Sequence, residues 1–302
     1  MIEIRNISKN FDSIKAVDNL SLEIPPGVIY GILGPNGAGK TTTLRIILNI
    51  IEPDKGEVLF GNRKVDLGVL NRVGYLPEER GLYQKEKAIE VLIYLAQLKG
   101  LNKRKAKERA LELMEKFDLA DRAYSKIEEL SKGMQQKLQF ISTLVHDPEI
   151  LILDEPFSGL DPINSELLRN LILEEKARGK TVIFSTHILE QAEKMCDFVA
   201  LISKGKKVVD GKLSQIKANY GKRTIKIEFE GDGEELKNLP HSSLRLYGRF
   251  AEIETDMELN EVLKELVDRV KILRAERTEP TLSQIYFTLV GGESENLNNN
   301  RI

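Results

Sequence analysis

The sequence predicts an α/β protein built on a mostly parallel sheet, followed by a smaller α+β unit. Three observations predict this. Short apolar runs at 28–33, 150–153 and 182–184 read as fully buried strands, and helical patterns separate them. A glycine-rich stretch, GPNGAGKT at 34–41, follows the first run directly. Near residue 220 the pattern changes. IKIEFE at 225–230 alternates strictly between apolar and polar, as a half-buried antiparallel strand does.

The elements follow in order. Ile2, Ile4 and Ile7 alternate in part, and Leu20, Leu22 and Ile24 cleanly. These are two early strands, stopped by Pro25-Pro26-Gly27. A helix is expected over 44–50. Val73, Tyr75 and Leu76 make a short apolar run that Pro77 ends, and Glu78, Glu79 and Arg80 come next. Segments 86–99 and 103–117 read as helices divided by Gly100, and 134–145 as a third. A further helix over 163–177 separates the second and third buried runs. Residues 198–203 and 206–210 form a hairpin signal over Lys204-Gly205. Beyond Tyr220-Gly221, 244–254 suggests a second hairpin, 260–270 an amphipathic helix, VKILRAE a strand and TLSQIYFTLV a closing helix. The expected organisation is a domain over 1–220 with a helical subdomain at about 84–147, an α+β domain over 221–291, and a polar tail over 292–302 whose composition predicts disorder.

The bulk numbers narrow the function classes. The chain has 302 residues, 41% hydrophobic and 30% charged, with a net charge of -2. This is the composition of a globular protein, without the basic excess of a nucleic-acid binder. Residues 222–302 hold 12 basic and 16 acidic side chains, the remainder 33 and 31. One cysteine, Cys196, cannot make an internal disulfide, which favours a reducing compartment. MIEIRNISKNF lacks the apolar core of a signal peptide, and no apolar run approaches the roughly 18 residues of a membrane span. A role at a membrane therefore requires a second chain.

Two motifs carry the chemistry. GPNGAGKT fits G-x-x-x-x-G-K-[ST] between a strand and a helix. Gly34, Gly37 and Gly39 let successive N–H groups turn inward towards phosphate, and the helix N-terminus adds positive potential. Lys40 would reach the β- and γ-phosphates, and the Thr41 hydroxyl would ligate Mg²⁺. ILILDEP at 150–156 ends a buried strand in Asp154 and Glu155, two carboxylates at the carboxyl edge of a sheet. Asp154 would hold the metal or its water, and Glu155 would polarise the attacking water. His187 follows a buried strand parallel to the one bearing Glu155, so its imidazole could contact the γ-phosphate and orient Glu155 and the water. His146, at a helix end, suits the helix dipole; His241 receives no role.

With these motifs the chain resembles the nucleotide-binding subunits of ABC transporters. LSKGM at 130–134 is similar to the signature motif, SGLD at 158–161 to the D-loop, and His187 to the switch histidine. Lys132 and Met134 depart from the glycine and glutamine more usual there. The C-terminal unit is similar to the small domain of some exporter subunits, and GYLPEERGLY to a string of the sodium-extrusion subgroup. The resemblance implies ATP and Mg²⁺ as cofactors. It implies nucleotide contacts from Phe11, Asn36, Gly37, Gly39, Lys40, Thr41 and Thr42, with Phe11 stacking on adenine. Ser131 and Gly133 would face the γ-phosphate of a second cassette; by themselves they read as a helix cap. Glu78 stands where a metal-facing glutamine is usual, so it joins Thr41 and Asp154 as an expected metal ligand, and Glu79 and Arg80 are expected at the surface. The implied protein is a cytoplasmic ATPase at the inner face of the membrane, pairing with a like cassette and a separate permease. A soluble ABC ATPase acting on ribosomes or DNA is the alternative.

Overall fold

The computed structural model describes residues 1–79, 81–220, 224–255 and 257–299, with 291–299 described as backbone alone. Two compact units emerge, Met1–Lys212 and Leu213–Ile302. The division falls eight residues ahead of the expected boundary at Tyr220, because a helix there (Leu213–Tyr220) groups with the second unit.

In the first unit β1 (Ile2–Phe11) and β2 (Ile14–Ile24) pair antiparallel, and β3 (Ile29–Leu33) leads through the glycine-rich loop into α1 (Lys40–Ile47). Next come β4 (Lys55–Phe60), β5 (Arg63–Lys64), the single turn α2 (Leu67–Leu70) and β6 (Val73–Leu76). The helical subdomain holds α3 (Ala88–Leu98), α4 (Lys103–Lys116) and α5 (Lys132–Leu144). The unit ends with β7 (Ile150–Asp154), α6 (Pro162–Ala177), β8 (Thr181–Thr186), α7 (Leu189–Glu193) and the hairpin β9 (Phe198–Ser203) to β10 (Lys206–Lys212).

A six-stranded sheet has the order β10-β9-β3-β8-β7-β6, parallel except for β10. A separate antiparallel sheet runs β2-β1-β4-β5. All five residues of β3 are buried, as a strand covered on both faces requires. Between the sheets lies a core of Ile4, Leu20, Leu22, Ile32, Leu44 and Ile183, among others. The strand order sets the site: β8 lies between β3 and β7, so the ends of those three strands share one edge.

Helix α1 begins at Lys40, four residues before the expected start. Its first turn holds three threonines, weak helix formers that hide the start from periodicity. The left-handed Gly39 (φ 99°) enters the helix, and Asn49 (φ 54°), also left-handed, follows its end. Strands β4 and β5 were not apparent in the sequence; β4 exists through its pairing with β1.

The second unit contains α8 (Leu213–Tyr220), β11 (Thr224–Glu230), β12 (Ser243–Tyr247), β13 (Phe250–Glu254), α9 (Leu259–Leu266), β14 (Lys271–Thr278) and α10 (Leu282–Asn299). Its antiparallel sheet has the order β12-β13-β11-β14, a split βαββαβ arrangement in which a 3₁₀ helix (Gly233–Asn238) takes the first helical position. One face buries Ile225, Ile227, Phe229 and Ile253 against Val262 and Leu266 of α9. Helix α10 extends as backbone alone from 291 to Asn299, into the stretch expected to form the polar tail; 300–302 lie outside the described residues. No helix among the described residues is long and apolar enough to cross a membrane.

His146 corrects an expectation. It is buried, and its Nε2–H donates to the Val73 carbonyl at 3.1 Å. Burial, and then the cations Lys99 and Lys180, push its pKa down to about 4. It is therefore neutral in the fold at pH 7 and does not complement a helix dipole as a cation. An unfolded chain takes up this proton near pH 6.5 while the folded one does not, so stability is lost as pH falls from 6.5 to about 4. The loss reaches about 3 kcal/mol. Urea unfolding across that range should show a drop that His146→Gln, which keeps a donor and cannot titrate, flattens.

Candidate active site

Where β3 ends, the glycine loop folds around its own lysine. Lys40 Nζ donates to the carbonyls of Gly34 at 2.9 Å and Pro35 at 3.1 Å, and lies 3.2 Å from Glu155 Oε1. Both side chains of this ion pair are more than nine-tenths buried. Two glycines are required by space. A Cβ on Gly34 would lie 2.1 Å from the Ile202 carbonyl oxygen, and one on Gly39 2.2 Å from that of Ala16. Gly37 is left-handed (φ 78°) and has open space beside it, with Asn36 equally exposed. Thr41 and Thr42 are half-buried on the first turn of α1.

At the end of β7, Asp154 Oδ1 accepts hydrogen bonds from Ser185 Oγ (2.6 Å) and Thr41 Oγ1 (3.1 Å). Its Oδ2 is buried with no hydrogen-bond partner. Ser185 also accepts the Glu155 N–H at 3.0 Å. Glu155 adopts a left-handed backbone (φ 47°), uncommon outside glycine, asparagine and aspartate, which aims its carboxylate back at Lys40. Its other oxygen, Oε2, lies 3.0 Å from His187 Nδ1. A carboxylate can only accept, so Nδ1 carries the proton.

The structure thus brings together Lys40, Thr41, Asp154, Glu155 and His187, with Gly39 and Thr42 on the adjoining loop and first helical turn; Phe11, Ser131 and Gly133 lie outside that cluster. Phe11 is exposed at the end of β1, with the Lys9 ammonium 5.8 Å from its ring centroid, so it is a surface platform and not core. Ser131 caps α5 by accepting the Met134 N–H at 3.2 Å. Gly133 has only ordinary room, its nearest neighbour being the Asn164 amide, so none of the described residues demands glycine there. Asp161 of SGLD caps α6 and accepts from Asn164; those bonds hold its carboxyl below the usual range. Glu78 is exposed and lines, with Asp154 and Glu155, a cleft of about 470 Å³. Among the described residues no three acidic, histidine or cysteine side chains converge on a point a metal could occupy. Arg80 lies outside the described residues.

Two residues escaped the sequence reading. Ser185 ties the two carboxylates to β8. Gln139, buried in α5, donates to the carbonyls of Pro77 (3.3 Å) and Glu79 (3.2 Å), fastening the loop that carries Glu78 to the helical subdomain. The one available signal was the polar end of an otherwise apolar strand in IFST; Gln139 gave none.

A glycine loop wrapped around a lysine, beside a carboxylate pair with a histidine, is an arrangement suited to polyphosphate hydrolysis. Residues 17–158 match the ABC transporter family, and 211–290 the C-terminal domain of the DrrA1-3-like ATP-binding proteins. The ABC transporter ATP-binding protein YhaQ of Bacillus subtilis is 42% identical over 98% of this chain and 100% of its own length. This chain belongs to the ABC transporter ATP-binding family. Other cassettes similar to it include NatA of B. subtilis, 38% identical over 72% of this chain and 91% of that protein. The Nod factor export ATP-binding protein I of Cupriavidus metallidurans is 36% identical over 70% and 71%. Among solved structures, the ATP-binding subunit of an ABC transporter superposes with a TM-score of 0.68, at 29% identity over 73% of this chain and 93% of that one. A dimeric ATP-binding cassette in a post-hydrolysis state, bound to ADP and Pi, gives 0.65 at 27% identity over 70% and 99%. The family's cassettes bind and hydrolyse ATP, and this ABC cassette is an ATPase.

Ser185→Ala removes a donor from Asp154 and strands the buried Glu155 N–H. A cost of about 1–3 kcal/mol is expected from such orphaned groups, and denaturant unfolding of the nucleotide-free cassette should register it.

Proposed function

We propose that this cassette powers export through a separate transmembrane permease, working as a pair of like chains at the cytoplasmic face of the membrane. The observation that carries the reading is the Glu155 carboxylate held between His187 and Lys40. In this reading the loop N–H groups and Lys40 bind the phosphates, Phe11 stacks on the base, and Asn36, Gly37, Gly39 and Thr42 complete the cradle. Glu155 polarises the attacking water, and His187 orients Glu155. Ser131 and Gly133 serve the partner's site, which agrees with their lying outside this chain's own cluster. Export is supported by the likeness to a Nod factor export protein. Cargo selection then belongs to the permease.

The site fits Mg²⁺. Asp154 Oδ2 is a buried carboxylate oxygen without a partner, and the Thr41 hydroxyl stands beside the same carboxylate. Both are hard oxygen donors. Thr41 and Asp154 would hold the metal, with Glu78 reaching it from the cleft. When bound, Mg²⁺ supplies positive charge that neutralises the phosphates.

Glu155→Gln should retain ATP binding while turnover falls by roughly 10²–10⁴-fold, since the amide is nearly isosteric but a poor base. Size-exclusion chromatography with ATP should then reveal a trapped cassette pair. Turnover equal to the unaltered protein would remove Glu155 from the mechanism.

Glu78 is tested separately. Its carboxylate repels a triphosphate unless metal intervenes, so ATP affinity should depend strongly on Mg²⁺. Glu78→Gln should bind ATP more tightly in a chelator and lose less activity than Glu78→Ala. An identical ratio of affinities with and without Mg²⁺ in all three proteins would place the carboxylate away from the metal.

A further inference from the structure

The second unit leaves one face of its sheet uncovered, and the charges on that face follow a rule. The registers place Arg245 on β12 opposite Glu252 on β13, Glu252 opposite Lys226 on β11, and Lys226 opposite Glu276 on β14. Read across the sheet, this row is positive, negative, positive, negative. The alternation of buried and exposed residues puts all four on the face away from α9. Within the row, Lys226 and Glu252 are 3.1 Å apart. The next row on the same face is Tyr247, Phe250, Glu228 and Arg274. Tyr247 and Phe250 are 56% and 48% exposed, large values for aromatic rings.

Such a face complements its own two-fold copy. An axis parallel to the strands, between β13 and β11, reverses strand order and keeps position along the strand. Plus-minus-plus-minus then meets minus-plus-minus-plus. Arg245 faces Glu276 of the copy and Lys226 faces its Glu252, each contact made twice by symmetry. In the second row Tyr247 faces Arg274 of the copy, a ring beneath a guanidinium. Glu228, which meets Phe250, already has the Arg249 guanidinium at 3.3 Å. Any other partner would need a matching row of alternating charge, whereas a second copy has one by construction.

We propose that the uncovered face of the C-terminal sheet is a self-association surface, pairing two copies of this chain about a two-fold axis without nucleotide. This is distinct from ATP-driven pairing of the cassettes and does not depend on the transport role proposed for them.

The test uses the full chain in a chelator without nucleotide, by sedimentation equilibrium at low salt. The unaltered protein should show a concentration-dependent dimer that weakens as salt rises. Lys226→Glu sets a carboxylate against Glu252 of its copy, and Glu252→Lys sets two ammonium groups together, so each should dimerise on the order of tenfold more weakly or worse. An equal mixture should recover the dimer, because both contacts between unlike variants are then attractive. Within each variant chain the new repulsion persists, so recovery on mixing reports the contact between chains and not folding. Arg245→Glu mixed with Glu276→Arg provides an independent second pair if one of the first variants fails to fold. A monomer at every concentration, single variants that dimerise like the unaltered protein, or a mixture that stays monomeric in both pairs would overturn the proposal.

Discussion

A buried ammonium facing a buried carboxylate organises the first unit. Removing Lys40 and Glu155 from water costs several kcal/mol each unless they find partners. Their 3.2 Å separation, two loop carbonyls and His187 supply those partners. The arrangement needs β3 and β7 on the same sheet edge, with β8 between them to bring Ser185 and His187. It also needs glycine at 34 and 39, where any side chain would strike backbone. The parallel sheet, the tight loop and the left-handed Glu155 all follow from that requirement. The same pairing suits phosphate chemistry. In the reading proposed above, a polyphosphate would compete with Glu155 for the ammonium, and His187 would keep hold of the carboxylate.

Gln139 links this edge to the helical subdomain. It is buried on α5, whose N-terminus carries Ser131, and it holds the carbonyls of the loop after β6. The loop that carries Glu78 and the segment that carries Ser131 are thus joined by one helix of about four turns. Rotation of α5 would move both together. The second unit is built on another plan, with one face apolar against α9 and the other carrying a row of alternating charge beside two exposed aromatic rings. Solubility alone would be served by any mixture of charges; strict alternation across four strands also permits a copy to meet it.

Much of the site was legible because phosphate binding constrains local sequence. The glycine loop and the carboxylate pair are each contiguous, so GPNGAGKT and ILILDEP announced themselves. His187 was found because it follows a buried strand. Ser185 and Gln139 were missed because a serine ending a strand, or a glutamine within a helix, looks the same whether it serves solvent or a buried carboxylate. Only β1 showed that Phe11 sits at an exposed strand end. His146 was misjudged because helix position suggests a charge that burial forbids.

The sequence by itself determined the α/β class, the buried strands, most helices and the identity of the phosphate loop, since periodicity and short motifs are local properties of the chain. Tertiary structure decided the start of α1, the existence of β4, the place of α8 in the second unit, the partners of Asp154 and the charge row on the outer sheet. Each of these depends on which distant segments pair and in what register, and a one-residue slip of β13 against β11 would have put Glu252 in the core.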